Sequence, residues 1–431
     1  MSVIAWTAVV VFVAAYVLIA TEKLNRVTVA LGGAAIMLAV GATDAEHAFF
    51  SEEAGIDWNV IFLLLGMMLI VGVLKRTGVF EYVAIWSAKK ARARPFPIMV
   101  ILIVVTGLVS GALDNVTTVL LVAPVTLLVC DRLGVPPVPF LLAEVFASNI
   151  GGTGTLVGDP PNIIIASRSG LTFNDFLVVL GPFVLLVLVV LVLLCRILFR
   201  EAFRYDPDRT AQIMALRERD AIRDPRLLVI SLGVLAVVLV AFVLHPVLGL
   251  EPSVVALLGG LLLLALSRLD ATEVAQDVEW PTLVFFAGLF VMVGGLVATG
   301  VIDEIAQAAA TAVEGKLWPA TMLLLWASAA LSAIVDNIPY VATMSPIVAE
   351  LVNAEGGLGH AQVLWWALAI GADFGGNATA VGASANVVVL GIAARAGHKI
   401  TFWEFTKYGL IVTVITVALA VPYLWLRFFA L

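Results

Sequence analysis

The sequence predicts an all-α polytopic membrane protein built from two inverted repeats, each of five transmembrane helices plus one re-entrant hairpin, with broken helices at the midplane. Three observations carry this expectation. The 431 residues are 62% hydrophobic and 13% charged, about half the charged fraction of a soluble domain. The two halves of the chain align at a nearly constant offset. Polar, glycine-rich breaks interrupt the apolar runs at four symmetric places.

Apolar segments fall at 3–20, 27–42, 58–74, 97–130, 137–170, 176–199, 227–248, 253–267, 281–298, 318–352, 361–395 and 408–428. Runs such as Phe176–Phe199 hold roughly 20 residues almost without charge, enough to cross ~30 Å of hydrocarbon as helix. Residues 3–20 follow no basic segment and precede no small-residue cleavage site, so they are expected to be a span rather than a signal peptide. Segments 97–130 and 318–352 read as two apolar arms of about 15 residues around SGALDNVTT (Ser110–Thr118) and SAIVDNIPY (Ser332–Tyr340). Fifteen helical residues rise only ~22 Å, which favours re-entrant hairpins; two complete spans each would give the same sidedness and stay open as the alternative. Segments 137–170 and 361–395 each cross once with a polar break, giving ten crossings and two hairpins.

Charge sets the orientation. Lys75, Arg76, Lys89, Lys90, Arg92 and Arg94 form one basic region, Arg200, Arg204, Arg209, Arg217, Arg219, Arg223 and Arg226 a second, and Arg395, Lys399 and Lys407 a third. The positive-inside rule places all three in the cytoplasm. Both termini are then expected outside the cell membrane (the inner membrane in a two-membrane cell). The acidic stretches Asp44–Asp57 and Asp303–Lys316 suit the outside, and 268–280 is the exception, acidic yet cytoplasmic. Residues 1–199 make the first repeat, 200–226 a cytoplasmic linker and 227–431 the second repeat. Cys130 and Cys195 have no spacing that suggests a disulfide framework or a metal cluster, and no cofactor, metal or nucleic-acid partner is expected.

An offset of 222 aligns Trp58 with Trp280, Gly66 with Gly288, Gly72 with Gly294, and Ser110, Asp114 and Asn115 with Ser332, Asp336 and Asn337. An offset of 224 aligns Gly151, Gly152, Thr155, Gly158 and Asn162 with Gly375, Gly376, Thr379, Gly382 and Asn386. Five crossings per half is an odd number, so the second copy enters the membrane upside down, the plan of many secondary transporters.

Irregular backbone at membrane depth is tolerated only where protein buries it or a cavity lies beside it. The four breaks are Leu113–Val119, Ser148–Asn162, Val335–Val341 and Asp373–Asn386. They present Thr118, Asn149, Thr153 and Ser384 as polar candidates besides the aligned residues. Asp114, Glu144, Asp159, Asp336 and Asp373 lie within apolar segments, each costing ~2.5–3.5 kcal/mol unless compensated. With no Lys or Arg at comparable depth, their expected partners are cations, protons or backbone donors rather than salt bridges. Each element also has a plain structural reading: tight packing for Gly-Gly, a kink for Pro160-Pro161, helix capping for Asp114 and Asp336. Glu144, whose counterpart is Leu368, reads equally as a proton carrier or a protonated packing residue.

With these motifs the chain resembles the ion transporter superfamily, in its arsenical-permease and melanosomal P-protein branch, with the dicarboxylate/sodium symporters more distant. The likeness spans nearly the whole chain, and GGTGTLVGDPPN (Gly151–Asn162) is its most specific piece. It implies elevator-type alternating access. It implies one ion-coupling site from Asp114, Asn115, Thr117, Thr153, Thr155 and Asn162, and another from Asp336, Asn337, Asn377, Thr379 and Asn386. Sodium is a candidate at Asp114/Asn115 and Asp336/Asn337. Relatives also suggest a homodimer and a separate ATPase subunit as partners besides the bilayer. The dicarboxylate branch carries Ser-Asn-Thr at both tips, whereas Asp114-Asn115-Val116 and Asp336-Asn337-Ile338 stand here, and an anionic tip opposes a dianion. The expected function is ion-coupled, in the first place proton-coupled, efflux of a small inorganic solute such as arsenite or antimonite. Na+/H+ antiport comes second and sodium-coupled dicarboxylate transport third. A channel would need a continuous polar path, and an enzyme a constellation that the four histidines, all in or beside loops, do not form.

Overall fold

Asn25 opens α2 (Arg26–Ala39) by accepting from the backbone N–H of Val27 and Thr28, and Asp57 opens α4 (Trp58–Arg76) by accepting from Val60, the capping that exposed first-turn donors require. The computed structural model describes residues 2–21, 23–51, 54–203, 214, 217–312, 316–354 and 357–430. Arg204, Arg209, Glu52, Glu53 and residues 313–315, which entered the charge reading, lie outside these.

In the first half the remaining helices are α1 (Val3–Ala20), α3 (Ala45–Phe50), α5 (Val79–Lys90), α6 (Pro95–Ala112), α7 (Asn115–Leu133), α8 (Val138–Gly152), α9 (Pro160–Ser169) and α10 (Phe173–Leu198). In the second half α11 (Pro225–Leu248), α12 (Pro252–Ser267), α13 (Ala271–Ala275), α14 (Trp280–Ala298), α15 (Val301–Ala312), α16 (Leu317–Ser332), α17 (Asn337–Ala354), α18 (Val363–Gly375), α19 (Ser384–Arg395) and α20 (Phe402–Trp425) follow in the same order. The described residues contain no strand. Among the described residues eight helices are long and apolar enough to cross a membrane; α4 and α14 are the most buried of these, and α1 and α11 the least. The protein is thus a multi-pass, all-helical membrane protein with the long apolar faces of α1, α10 and α11 turned outward.

One length expectation is corrected. The hairpin arms are not about fifteen residues each: α6 and α7 have 18 and 19 residues, α16 and α17 have 16 and 18. Helix continues through Ser110 to Ala112 and restarts at Asn115, so most of the polar centre belongs to the arms. Arm length therefore no longer argues for re-entrance.

Local features recur between halves. Trp58 donates its indole N–H to the Phe49 carbonyl and Trp280 to that of Ala275, each at 2.9 Å. Ser110 bridges to the carbonyl of Ser148 and Ser332 to that of Ala372, each at 2.7 Å. The halves interlock through α2 against α14 and α4 against α12. A side chain on Gly66 would sit 2.4 Å from the Ala256 backbone, and one on Gly288 2.8 Å from Ala30, so both crossings need glycine for their closeness.

The acidic stretch 268–280 is also explained. Arg76, at the end of α4, holds Glu273 and Asp277, each at 2.9 Å. The nearby basic region meets the linker through Lys89–Glu218 at 2.6 Å and Arg223–Glu81 at 3.1 Å. These three segments occupy one end of the molecule, and the acids there serve as counter-charges for the basic belt.

Candidate functional site

Asp114 and Asp336 stand at the two hairpin turns. Asp114 accepts from the backbone N–H of Thr117 at 2.7 Å, and Asp336 from that of Ile338 at 3.1 Å. Capping was a plain reading of these residues, and it occupies one oxygen of each. The neighbouring amides point inward. Asn115 donates to Asp159 at 2.8 Å and to the side-chain oxygen of Asn149 at 3.2 Å. Asn337, from the other half, reaches the same Asp159 carboxylate at 3.3 and 3.4 Å. Asp159 is placed there by Pro160 and Pro161: the residue before a proline is driven to extended backbone, and Asp159 sits at φ −142°, ψ 132°.

The broken helices meet on each other. Asn149 donates to the side-chain oxygens of Asn377 at 2.9 Å and Asn386 at 3.1 Å. Its repeat counterpart is Asp373, whose neighbours are Thr153 and Asn162, themselves the counterparts of Asn377 and Asn386. Neither oxygen of Asp373 has a hydrogen-bond partner among the described residues, and the side-chain oxygen of Asn162 has none either. The Asn162 amide is spent on the carbonyls of Thr153 at 3.3 Å and Thr155 at 3.0 Å, and that of Asn386 on Gly376 at 2.7 Å and Thr379 at 2.8 Å. These asparagines hold the unwound segments together. Thr155 and Thr379 likewise donate to Gly111 and Ala333, each at 2.5 Å, tying each break to its hairpin turn. Asn115, Asn149, Asp159, Asn162, Asn337, Asp373, Asn377 and Asn386 are all buried.

The sequence grouped the candidates into two separate sites. The structure instead brings both turns onto Asp159 and joins both broken helices through Asn149, so the polar residues form one cluster spanning the halves. Thr118 is buried, its hydroxyl without a partner among the described residues, and the N–H of Thr117 is capped by Asp114. Glu144 lies apart, in the packing of α7 against α8, where its hydrogen-bond partner is Thr126.

The expectation that no basic residue reaches the acids is overturned. Arg26, the first residue of α2, lies 3.8 Å from Asp336 and donates to Ser384 at 2.7 Å, while Ser384 donates to Asp336 at 2.5 Å. Its guanidinium also lies 5.5 Å from the Phe285 ring centroid. In the sequence Arg26 abuts an apolar run and has the look of a span-flanking arginine. Glu279 was missed too, although it precedes Trp280 as Asp57 precedes Trp58.

Arg26, Glu279, Asp336 and Ser384 line a cavity of about 510 Å³ that runs along α1, α14 and α19. A separate small pocket of about 20 Å³ beside it touches Asp114, Glu279 and Arg26. A second cavity of about 510 Å³ occupies the corresponding place in the other half, along α11, α4 and α9, lined by Asn59, His245, Glu251 and Ser253. It meets none of the four aspartates.

A model of the citrate transporter family matches residues 16–371. The chain belongs to that family. As a family member it is 58% identical to an uncharacterized transporter of Mycobacterium tuberculosis over 98% of this chain and 99% of that one. It is 32% identical to the human P protein over 95% of its own length, spanning 58% of that longer protein. Its fold resembles the YdaH transporter of Alcanivorax borkumensis, with a TM-score of 0.65 at 16% identity over 94% of this chain and 97% of that one. The protein is therefore a membrane transporter of the ion transporter superfamily, as its motifs implied.

Proposed function

We propose that this transporter is an ion-coupled secondary carrier in which protons or sodium ions bind among Asp114, Asp159 and Asp336. The observation that carries the reading is the convergence of both hairpin turns on Asp159. Asp114, Asp336 and Asp373 all lie within electrostatic reach of Asp159, and Arg26 is the basic side chain that pairs with the group. Carboxylates this close repel one another in a poorly screened interior. A bound proton or cation relieves that repulsion, so ion occupancy changes the stability of one arrangement of the turns against another, which is what coupling requires. In this reading the two repeats are inserted in opposite senses, the turns enter the membrane from opposite faces, and the cluster travels as an elevator against α2, α4, α12 and α14.

The substrate class is a small inorganic solute such as arsenite or antimonite, leaving the cell. Neutral As(OH)3 suits hydroxyls, amides and carboxylates, and the cavity beside the cluster carries Asp336 and Glu279 against a single Arg26. The surplus of acid also favours Na+/H+ antiport as the second reading. Free citrate, which the family's description names, comes third, because three carboxylates would meet these acids with one arginine to oppose them. Proteoliposomes carrying the purified chain separate the three. Arsenite or antimonite counterflow that responds to a pH gradient supports the first. Sodium-driven proton movement without arsenite replaces it with antiport, and gradient-driven uptake of labelled citrate replaces both.

A further inference from the structure

Asp114 and Asp336 are repeat counterparts, yet among the described residues only Asp336 has a basic side chain within ion-pair distance. Asp336 has Arg26 at 3.8 Å and is linked to it a second time through Ser384. Among the described residues no lysine or arginine lies within 4 Å of Asp114. The asymmetry begins in sequence: α2 starts with Arg26, and α12, the matching helix, starts with Pro252. A guanidinium cannot be deprotonated in a protein, so Asp336 faces a permanent positive charge anchored to a neighbouring helix. Asp114 instead lines the small pocket of about 20 Å³, whose other polar walls are Glu279, Thr282, Ser384 and Arg26. That volume is about what one water-sized occupant needs.

We infer that Arg26 is a tethered cation filling the ion position at the second hairpin turn, so that the carrier takes one free monovalent cation, at Asp114. The inference rests on the ion-coupled reading above and specifies its stoichiometry. Phe285 supports the role: a ring face 5.5 Å from the guanidinium steadies the arginine in place. So does Nη1, which donates to Ser384 at 2.7 Å while lying 3.8 Å from the Asp336 carboxylate. Glu279 is engaged by the Thr282 hydroxyl at 3.2 Å and lines the same small pocket as Asp114. Removing the guanidinium leaves Asp336 and Ser384 as oxygen ligands facing the cavity, which creates a second free site where the wild type has an arginine.

The test is equilibrium binding of radioactive sodium to the purified full chain in detergent at a pH where carboxylates are ionised. Wild type is expected to bind one sodium, R26Q two with a sigmoidal isotherm, and R26K one, because lysine restores the charge. D336N is expected to keep the single sodium and D114N to lose it. This pair keeps the test decisive if R26Q does not fold. If R26Q binds the same number of ions with the same affinity as wild type, or if D336N rather than D114N removes the sodium, the inference is overturned. If wild type binds no sodium, it is overturned as well, while proton-gradient-driven transport in proteoliposomes would leave the ion-coupled reading standing. Absence of transport under every gradient defeats that reading instead, whatever sodium does.

Discussion

Replacing Gly151 by alanine tests the packing and the site together. A methyl group there would lie 2.1 Å from the Gly107 carbonyl oxygen and 2.5 Å from the Gly107 Cα, where ordinary contact begins at 3.4 Å. Both neighbours are backbone, so α6 and α8 must part by about 1 Å, an overpacking that costs ~1–3 kcal/mol. One turn along, the Ser110–Ser148 hydrogen bond stands at 2.7 Å, and such a separation breaks it, for ~1 kcal/mol more. The sum, roughly 2–4 kcal/mol, should lower the thermal midpoint by several degrees in detergent. Asp114 lies on the same segment as Ser110, so the displacement reaches the cluster, and a 1 Å misplacement of reacting or binding groups costs on the order of 10²-fold in rate. Intrinsic tryptophan fluorescence gives the midpoint, and proteoliposome flux the rate. Gly32→Ala is the control, because nothing lies within 4 Å of the added methyl. If Gly151→Ala matches Gly32→Ala in both measurements, the close crossing of α6 and α8 is not what positions the turn.

Three further outcomes follow from the same geometry. Asp114→Asn should abolish coupled transport through loss of the cation, and Asp336→Asn through an Arg26 left without its counter-charge, with expression of both intact; normal flux in both would defeat the cation-site argument. Arg76→Ala removes contacts to Glu273 and Asp277 at an end where its side chain is 30% exposed. The loss should be about 1 kcal/mol and shrink in high salt, read as the difference in thermal midpoint at two ionic strengths. Glu218 is held below the usual glutamate range chiefly by its hydrogen bond from Lys89. A depressed carboxyl stabilises above its unfolded value and loses that contribution as pH falls through the folded one. Proteolysis of residues 217–226 should therefore stay level from pH 8 to about 5 and rise below about 4; a rise near neutrality would show that another group ties the linker down.

The sequence made the scaffold legible because membrane insertion writes it locally. Apolar length, basic connections and the collinear repeat need only short windows, and Gly, Pro and Asn mark each break. What lay beyond reach was pairing between distant segments. Arg26 and Asp336 are separated by more than three hundred positions, and nothing in the composition around Arg26 distinguishes it from a span-flanking arginine. The merging of two expected sites into one cluster has the same origin: Asn115 and Asn337 match each other in sequence, but that both reach one Asp159 is decided by how the halves dock. The arm lengths erred for a different reason. Ser110 and Gly111 read as a polar interruption, yet helix runs through them because the Ser110 hydroxyl finds a carbonyl on α8.

The interlock of α2 with α14 and of α4 with α12 bears on how the molecule is made. Synthesis delivers α2 and α4 long before their partners, so the tight glycine crossings of the first half cannot close until α12 and α14 emerge. Until then Gly66 and its surroundings are covered by lipid or by insertion machinery, and the first half waits as an unfinished unit. Assembly is therefore a late event that closes both crossings together. Two half-length chains, split in the linker and produced in one cell, should find each other and reconstitute the carrier, whereas either half alone should be cleared by quality control.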